Sequence, residues 1–187
     1  MPSDLEKLRK IYELKSVYRM SSVKDRKESS AEHTWSCLIL ADYFLDKHKG
    51  KIDRTKVYEL LMYHDLIEIE TGDVPIHHEE KRKLKAVQEQ KAVNVLRKKI
   101  PGSMGKKFHS LFKEFEECKT KEAKFAKAID KFDATIHELD YKEDWKGWTE
   151  EMLRRYSEHH YKEFPEINDL FEEMASYARK NGFFNQK

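Results

Sequence analysis

Apolar residues recur along this chain at intervals of three and four, and no stretch alternates apolar with polar as a half-buried strand does. The pattern predicts an all-α protein. Leu5, Leu8, Ile11, Tyr12 and Leu14 form a helical stripe over residues 4–17, and the polar, aperiodic stretch 18–28 reads as a loop. Ser29, with Glu32 three residues on, is a capping box that opens the next helix, where His33, Cys37, Leu40 and Phe44 share one face. Gly50 ends it. Asp53 caps a third helix with the stripe Val57, Leu60, Leu61 and His64, and Glu68 follows one turn later. Thr71-Gly72-Asp73-Val74-Pro75 breaks that helix by turn chemistry.

Residues 77–100 read as a charged helix with a sparse inner face of Leu84, Val87, Val93, Leu96 and Ile100. Pro101-Gly102-Ser103 separates it from a short helix at 104–118 bearing Phe108, Leu111, Phe112 and Phe115. Thr120 caps a helix over 121–141 with the stripe Phe125, Ile129, Phe132 and Ile136. Asp130 and Asp133 lie beside that stripe. After a turn at 145–148 come two amphipathic helices, 149–160 and 165–179, and a short tail expected to fray.

Hydrophobic and charged residues each make up 39% of the 187 positions, and no apolar run approaches the roughly 20 residues a bilayer span needs. A membrane protein is thereby disfavoured. The net charge of +2, with lysines and glutamates interspersed, argues against a nucleic acid polymer as the main partner. Cys37 and Cys118 form no closely spaced pair, and the N-terminus lacks the basic-then-apolar order of a signal peptide, so a reducing cytoplasm is expected.

The chemistry centres on His64-Asp65, at the end of the apolar run Leu60-Leu61-Met62-Tyr63. Burying such a pair without a partner costs free energy, and a divalent cation accepts imidazole and carboxylate together. Adjacent helical positions diverge by about 100°, so both reach one ion only if it lies over the edge between them. The chain contains no His-Glu-x-x-His, no Glu-x-x-His, no phosphate-binding Gly-x-x-x-x-Gly-Lys and no Gly-x-Ser-x-Gly. What remains is His33, then His64-Asp65, then Asp130 or Asp133, each on its own helix. The alternatives are a hydrogen-bonded core histidine at 33 and solvent-facing aspartates at 130 and 133. Arg19 and Arg26 in the 18–28 stretch suit phosphate or simply a solvated linker. Asp73 is a site residue or an ordinary turn aspartate. His77 and His78, beside Glu79 and Glu80, are an accessory metal site or solvent-facing residues.

The order His33, His64-Asp65, Asp130 resembles the HD-domain superfamily of metal-dependent phosphohydrolases. Ser30-Ala31-Glu32-His33-Thr34-Trp35, His64-Asp65-Leu66-Ile67-Glu68 running into Thr71-Gly72-Asp73-Val74-Pro75, and the block 122–131 ending Ile129-Asp130-Lys131 are similar to its branch of 5′-deoxynucleotidases, as is Leu14-Lys15-Ser16-Val17-Tyr18-Arg19. The resemblance spans residues 5–141. It implies one HD domain over 1–187, with the site within about 14–133 and the C-terminal helices, about 149–180, as scaffold or oligomer surface of a homodimer. It also implies that His33, His64, Asp65 and Asp130 bind one divalent cation, leaving Asp133 outside the ligand set. Glu68 would be the acid/base or water-orienting carboxylate, Arg19 would orient the phosphate and Asp73 would contact the sugar. Met20, Val74, Pro75 and Ile76 would line the substrate.

Two imidazoles and two carboxylates form a mixed donor set that suits Mn, Co, Fe or Zn better than Mg or Ca. The implied reaction is release of phosphate from nucleoside 5′-monophosphates, chiefly 2′-deoxyribonucleotides. The alternatives are another phosphoester (a cyclic nucleotide, a nucleoside triphosphate or an alarmone) or a catalytically silent nucleotide-binding module. Many bacterial members of this branch carry tryptophan after the phosphate-orienting arginine, where it helps exclude ribonucleotides. Here that position is Met20.

Overall fold

Local hydrogen-bonding signals decide where most of the helices begin. The computed structural model describes residues 2–73, 89 and 91–184. The first helix, α1 (Asp4–Ile11), opens on a capping box in which Ser3 accepts from the Glu6 amide and Glu6 accepts from the Ser3 amide. It stops at Ile11 instead of continuing to 17. A 3-10 helix, Tyr12–Ser16, redirects the chain so that Leu14 enters the core. Of the rest of the expected stripe, Ile11 packs half-buried against the core, while Leu5, Leu8 and Tyr12 are exposed.

The largest departure from the sequence pattern is the stretch 18–28. It is a hairpin of β1 (Tyr18–Val23) and β2 (Arg26–Ser29), paired antiparallel with an irregular register between Tyr18 and Ser22. Lys24, at φ 53°, turns the chain. Alternation does exist in β1 but with inverted polarity. Tyr18 and Met20 face out, 59% and 58% exposed, while Arg19 and Ser21 face in. The alternation covers only Tyr18 to Ser21 before Ser22 breaks it, too short a run to stand out as a strand. Side chains of the helical body hold it in place: Asp144 accepts from the Ser22 amide (2.6 Å), and His137 donates to the Ser22 carbonyl (2.8 Å).

α2 (Ser30–Lys47) starts at the predicted capping box, with the Ser29 amide donating to Glu32 (2.9 Å). α3 (Arg54–Tyr63) is capped by Asp53, which accepts from the Lys56 amide (3.0 Å). It ends just before His64. Residues 64–67 form a turn into α4 (Glu68–Thr71), which Gly72 closes at φ 69°. The predicted helix at 77–100 is described only in part: residues 91–99 are helical (α5), and Val93, Leu96 and Ile100 are buried as the pattern predicts. Leu84 and Val87 lie outside the described residues.

α6 (Gly102–Glu117) follows, and Gly105 lets it approach the Arg97 carbonyl where a side chain would clash. α7 (Lys121–His137), capped by Thr120, packs against α2, α3, α6 and the helix at 165–180. Its fully buried Phe125 and Phe132 each stabilise the fold by about 1.5–3 kcal/mol, so packing rather than helix propensity fixes its position. Two 3-10 turns, Glu138–Asp140 and Lys142–Trp145, lead to α8 (Glu150–Ser157) and α9 (Pro165–Lys180). The tail does not fray through residue 184. Phe183 is buried edge-on against Trp145, with centroids 5.4 Å apart. No described helix is long and apolar enough to cross a membrane.

Candidate active site

Two helix ends and one helix middle converge on a single cluster. His33 comes from the first turn of α2, His64 and Asp65 from the turn after α3, and Asp130 from α7. His33 Nε2 lies 3.2 Å from Asp130 Oδ1 and 3.8 Å from Asp65 Oδ2. His64 Nε2 lies 3.2 Å from Asp65 Oδ1 and 3.8 Å from Asp130 Oδ1. Asp130 and Asp133 do not face solvent, being 7% and 3% exposed.

The far nitrogens settle the tautomers. His64 Nδ1 is 2.6 Å from the Leu61 carbonyl, which can only accept, so that nitrogen carries the proton. His33 Nδ1 likewise donates to Asp133 Oδ2 (2.8 Å), which also accepts from Ser36 Oγ (2.9 Å). Both Nε2 atoms therefore face the two carboxylates, and the buried His64 Nε2 has no hydrogen-bond partner among the described residues. On His64 the Nε2 lone pair thus faces oxygens of Asp65 and Asp130, which is repulsive unless positive charge lies between them. These residues fit a divalent cation.

The electrostatics make the same demand. Burial opposes ionisation of Asp130, yet Lys131, His33 and His64 hold its pKa well below the usual carboxylate range. Asp65 is lowered likewise, with His64, His33 and Arg19 overcoming burial. Burial lowers the pKa of His64. In His33, burial and Arg19 oppose protonation, but Cys37, Asp130 and Asp133 prevail and raise its pKa well above the imidazole value. Cys37 Sγ lies 3.6 Å from His33 Nε2, and His33, Cys37 and His64 bring their ligand atoms within 4.8 Å of one another. Burial pushes the Cys37 thiol up to about 12, which makes it a poorer donor than the two carboxylates.

Arg19 spans the cluster's edge, with Nη1 3.3 Å from Asp65 and Nε 3.2 Å from the buried Glu28. Glu68 is buried and accepts from Ser30 Oγ (2.7 Å). A cavity of about 560 Å³ opens over these groups, and its lining includes Arg19, Met20, Asp65, Glu68, Asp73 and Glu138. Val74, Pro75 and Ile76, with His77, His78, Glu79 and Glu80, lie outside the described residues. The pattern of the sequence alone did not point to Glu28, Ser30, Lys131 or Glu138. Glu28 and Ser30 flank the capping box, and Lys131 follows Asp130, but none of these neighbours signals which way a side chain points.

The profile of the HD domain family matches residues 11–173. The chain belongs to the HD domain family. Among its relatives is a 5′-deoxynucleotidase HDDC2 of Dictyostelium discoideum, 31% identical over 120 residues, which are 61% of this chain and 63% of that protein. The HDDC2 5′-deoxynucleotidase of Bos taurus is 26% identical over 142 residues, covering 74% of this chain and 68% of its own. The chain thus spans less than two thirds of the Dictyostelium protein's length and slightly more of the bovine one's.

Two solved structures share the fold. A predicted metal-dependent phosphohydrolase from Magnetospirillum magnetotacticum superposes with a TM-score of 0.78 at 21% identity, covering 97% of this chain and 96% of the other. An HD-domain phosphohydrolase from Listeria innocua gives 0.63 at 22% identity, covering 92% and 84%. The hairpin and all the described helices lie within or beside the stretch that the HD family profile covers.

Proposed function

We propose that this HD domain chain is a metal-dependent phosphohydrolase that releases phosphate from nucleoside 5′-monophosphates, with 2′-deoxyribonucleotides as the expected substrates. One observation carries the reading: two histidine Nε2 atoms and two carboxylates converge beneath a cavity edged by an arginine. The names of the relatives support the nucleotide class. His33, His64, Asp65 and Asp130 would hold Mn, Co, Fe or Zn. When bound, such a cation offsets the charge of a phosphate dianion and acidifies water for attack.

The chain's own groups supply the remainder. Arg19, held through Nε by Glu28, presents its guanidinium to the phosphate oxygens. Glu68, fixed through Oε2 by Ser30, takes the proton from the attacking water and passes it to the nucleoside O5′ as the P–O5′ bond breaks. Asp73 would contact the sugar, and Met20 occupies the place of the tryptophan found in bacterial members of the branch. Asp133 orients His33. Asp133→Asn is expected to weaken metal affinity about 10- to 100-fold in chelator competition, and an unchanged affinity would refute the orienting role.

Phosphate release from ribo- and deoxyribonucleoside 5′-monophosphates tests the function, using metal-stripped protein with Mn, Co, Zn or Mg added back. Metal-dependent release is expected, fastest on the deoxy series. No release with any metal, or hydrolysis of cyclic nucleotides or triphosphates alone, overturns the proposal.

A further inference from the structure

The wall of the cavity beyond Arg19 carries a carboxyl group that the phosphate chemistry does not use. Glu138 opens the 3-10 turn after α7, and its carbonyl accepts from the buried Trp145 Nε1 (2.8 Å), which fixes the main chain. Its Oε1 accepts from Ser21 Oγ (2.9 Å), and among the described residues its Oε2 has no hydrogen-bond partner. Asp144, on the same wall, has no such atom to spare. It accepts from the Ser22 amide (2.6 Å) and hydroxyl (2.8 Å) and pairs with Lys27 (3.5 Å).

Ser21 lies two residues from Arg19 on the inward face of β1, a step of about 7 Å along a strand. A cavity of about 560 Å³ is in the range that encloses a whole small ligand, roughly 300–1,000 Å³, so there is space beyond the phosphate for a nucleoside.

We propose that Glu138 receives a hydrogen-bond donor of the substrate's nucleoside moiety, a base amino group or a sugar hydroxyl, and so sets substrate preference. The proposal rests on the phosphohydrolase reading. Burial, with Asp144 adding to it against the Ser21 hydrogen bond, pushes the Glu138 carboxyl up to about 7, so near neutrality both its ionised and protonated forms are at hand.

The test assays full-length, metal-loaded wild type, Glu138→Gln and Glu138→Ala on dAMP, dGMP, dCMP, dTMP, 2-deoxyribose 5-phosphate and phenyl phosphate, which has no donor. Glu138→Ala is expected to lower kcat/KM about 10- to 100-fold on donor-bearing substrates and to leave phenyl phosphate within about twofold. Glu138→Gln, which keeps an acceptor, should retain part of the rate. Loss on dAMP, dGMP and dCMP but not dTMP assigns the contact to the base. Equal loss on all four and on deoxyribose 5-phosphate assigns it to the sugar. No loss on nucleotides, or equal loss on phenyl phosphate, overturns the proposal. Failure of the phosphohydrolase reading shows separately, as wild type releasing phosphate from none of the panel.

Discussion

Glu68→Gln is expected to lower kcat about 10²- to 10⁴-fold while the protein keeps one equivalent of metal. The side chain sits in α4, one turn past His64, buried in the cavity wall and aligned by Ser30 Oγ at 2.7 Å. Glutamine preserves its volume and its oxygen acceptor but cannot take up a proton. A loss in kcat with KM nearly constant therefore isolates proton handling from substrate binding. Metal content by elemental analysis and steady-state kinetics on one deoxynucleotide check it. If kcat stays within about threefold of wild type, Glu68 is not the proton acceptor.

Asp65→Ala should abolish both metal retention and phosphate release. Asp65 has two duties: Oδ1 faces His64 Nε2 at 3.2 Å, and Oδ2 faces Arg19 Nη1 at 3.3 Å. Its removal leaves one carboxylate to offset the cation's charge and releases one end of the arginine that would meet the phosphate. The effect is legible without turnover. A cation that binds only the folded form, present at 100 times its Kd, stabilises wild type by about 2.7 kcal/mol. Added Mn should thus raise the thermal midpoint of wild type and not that of the variant. Stoichiometric metal with full activity in Asp65→Ala would remove Asp65 from the site.

Helix starts were legible because capping is local. Ser29 with Glu32, Asp53 and Thr120 each satisfy amide groups within three residues, and each cap stands where the sequence places it. The helix ends were less legible. α1 stops at Ile11 and α3 at Tyr63, where the chain turns to bring Leu14 into the core and His64 over the cluster. The hairpin is weakly encoded locally: its alternation runs for four residues only, and Arg19 and Ser21, on its inner face, line a cavity instead of a hydrophobic core.

By itself, the amino-acid order determined an all-α framework and the series His33, His64-Asp65, Asp130, whose resemblance to the HD superfamily the family profile bears out. Periodicity and capping act over a few residues, so one chain segment suffices to read them. Only the tertiary structure decided that Asp130 turns Oδ1 to both Nε2 atoms while Asp133 grips the opposite nitrogen of His33. It alone placed Glu28 behind Arg19 and Glu138 across from Ser21. Those pairings join residues up to 117 positions apart, and their geometry follows from how α7 packs against its neighbours, which no local pattern encodes.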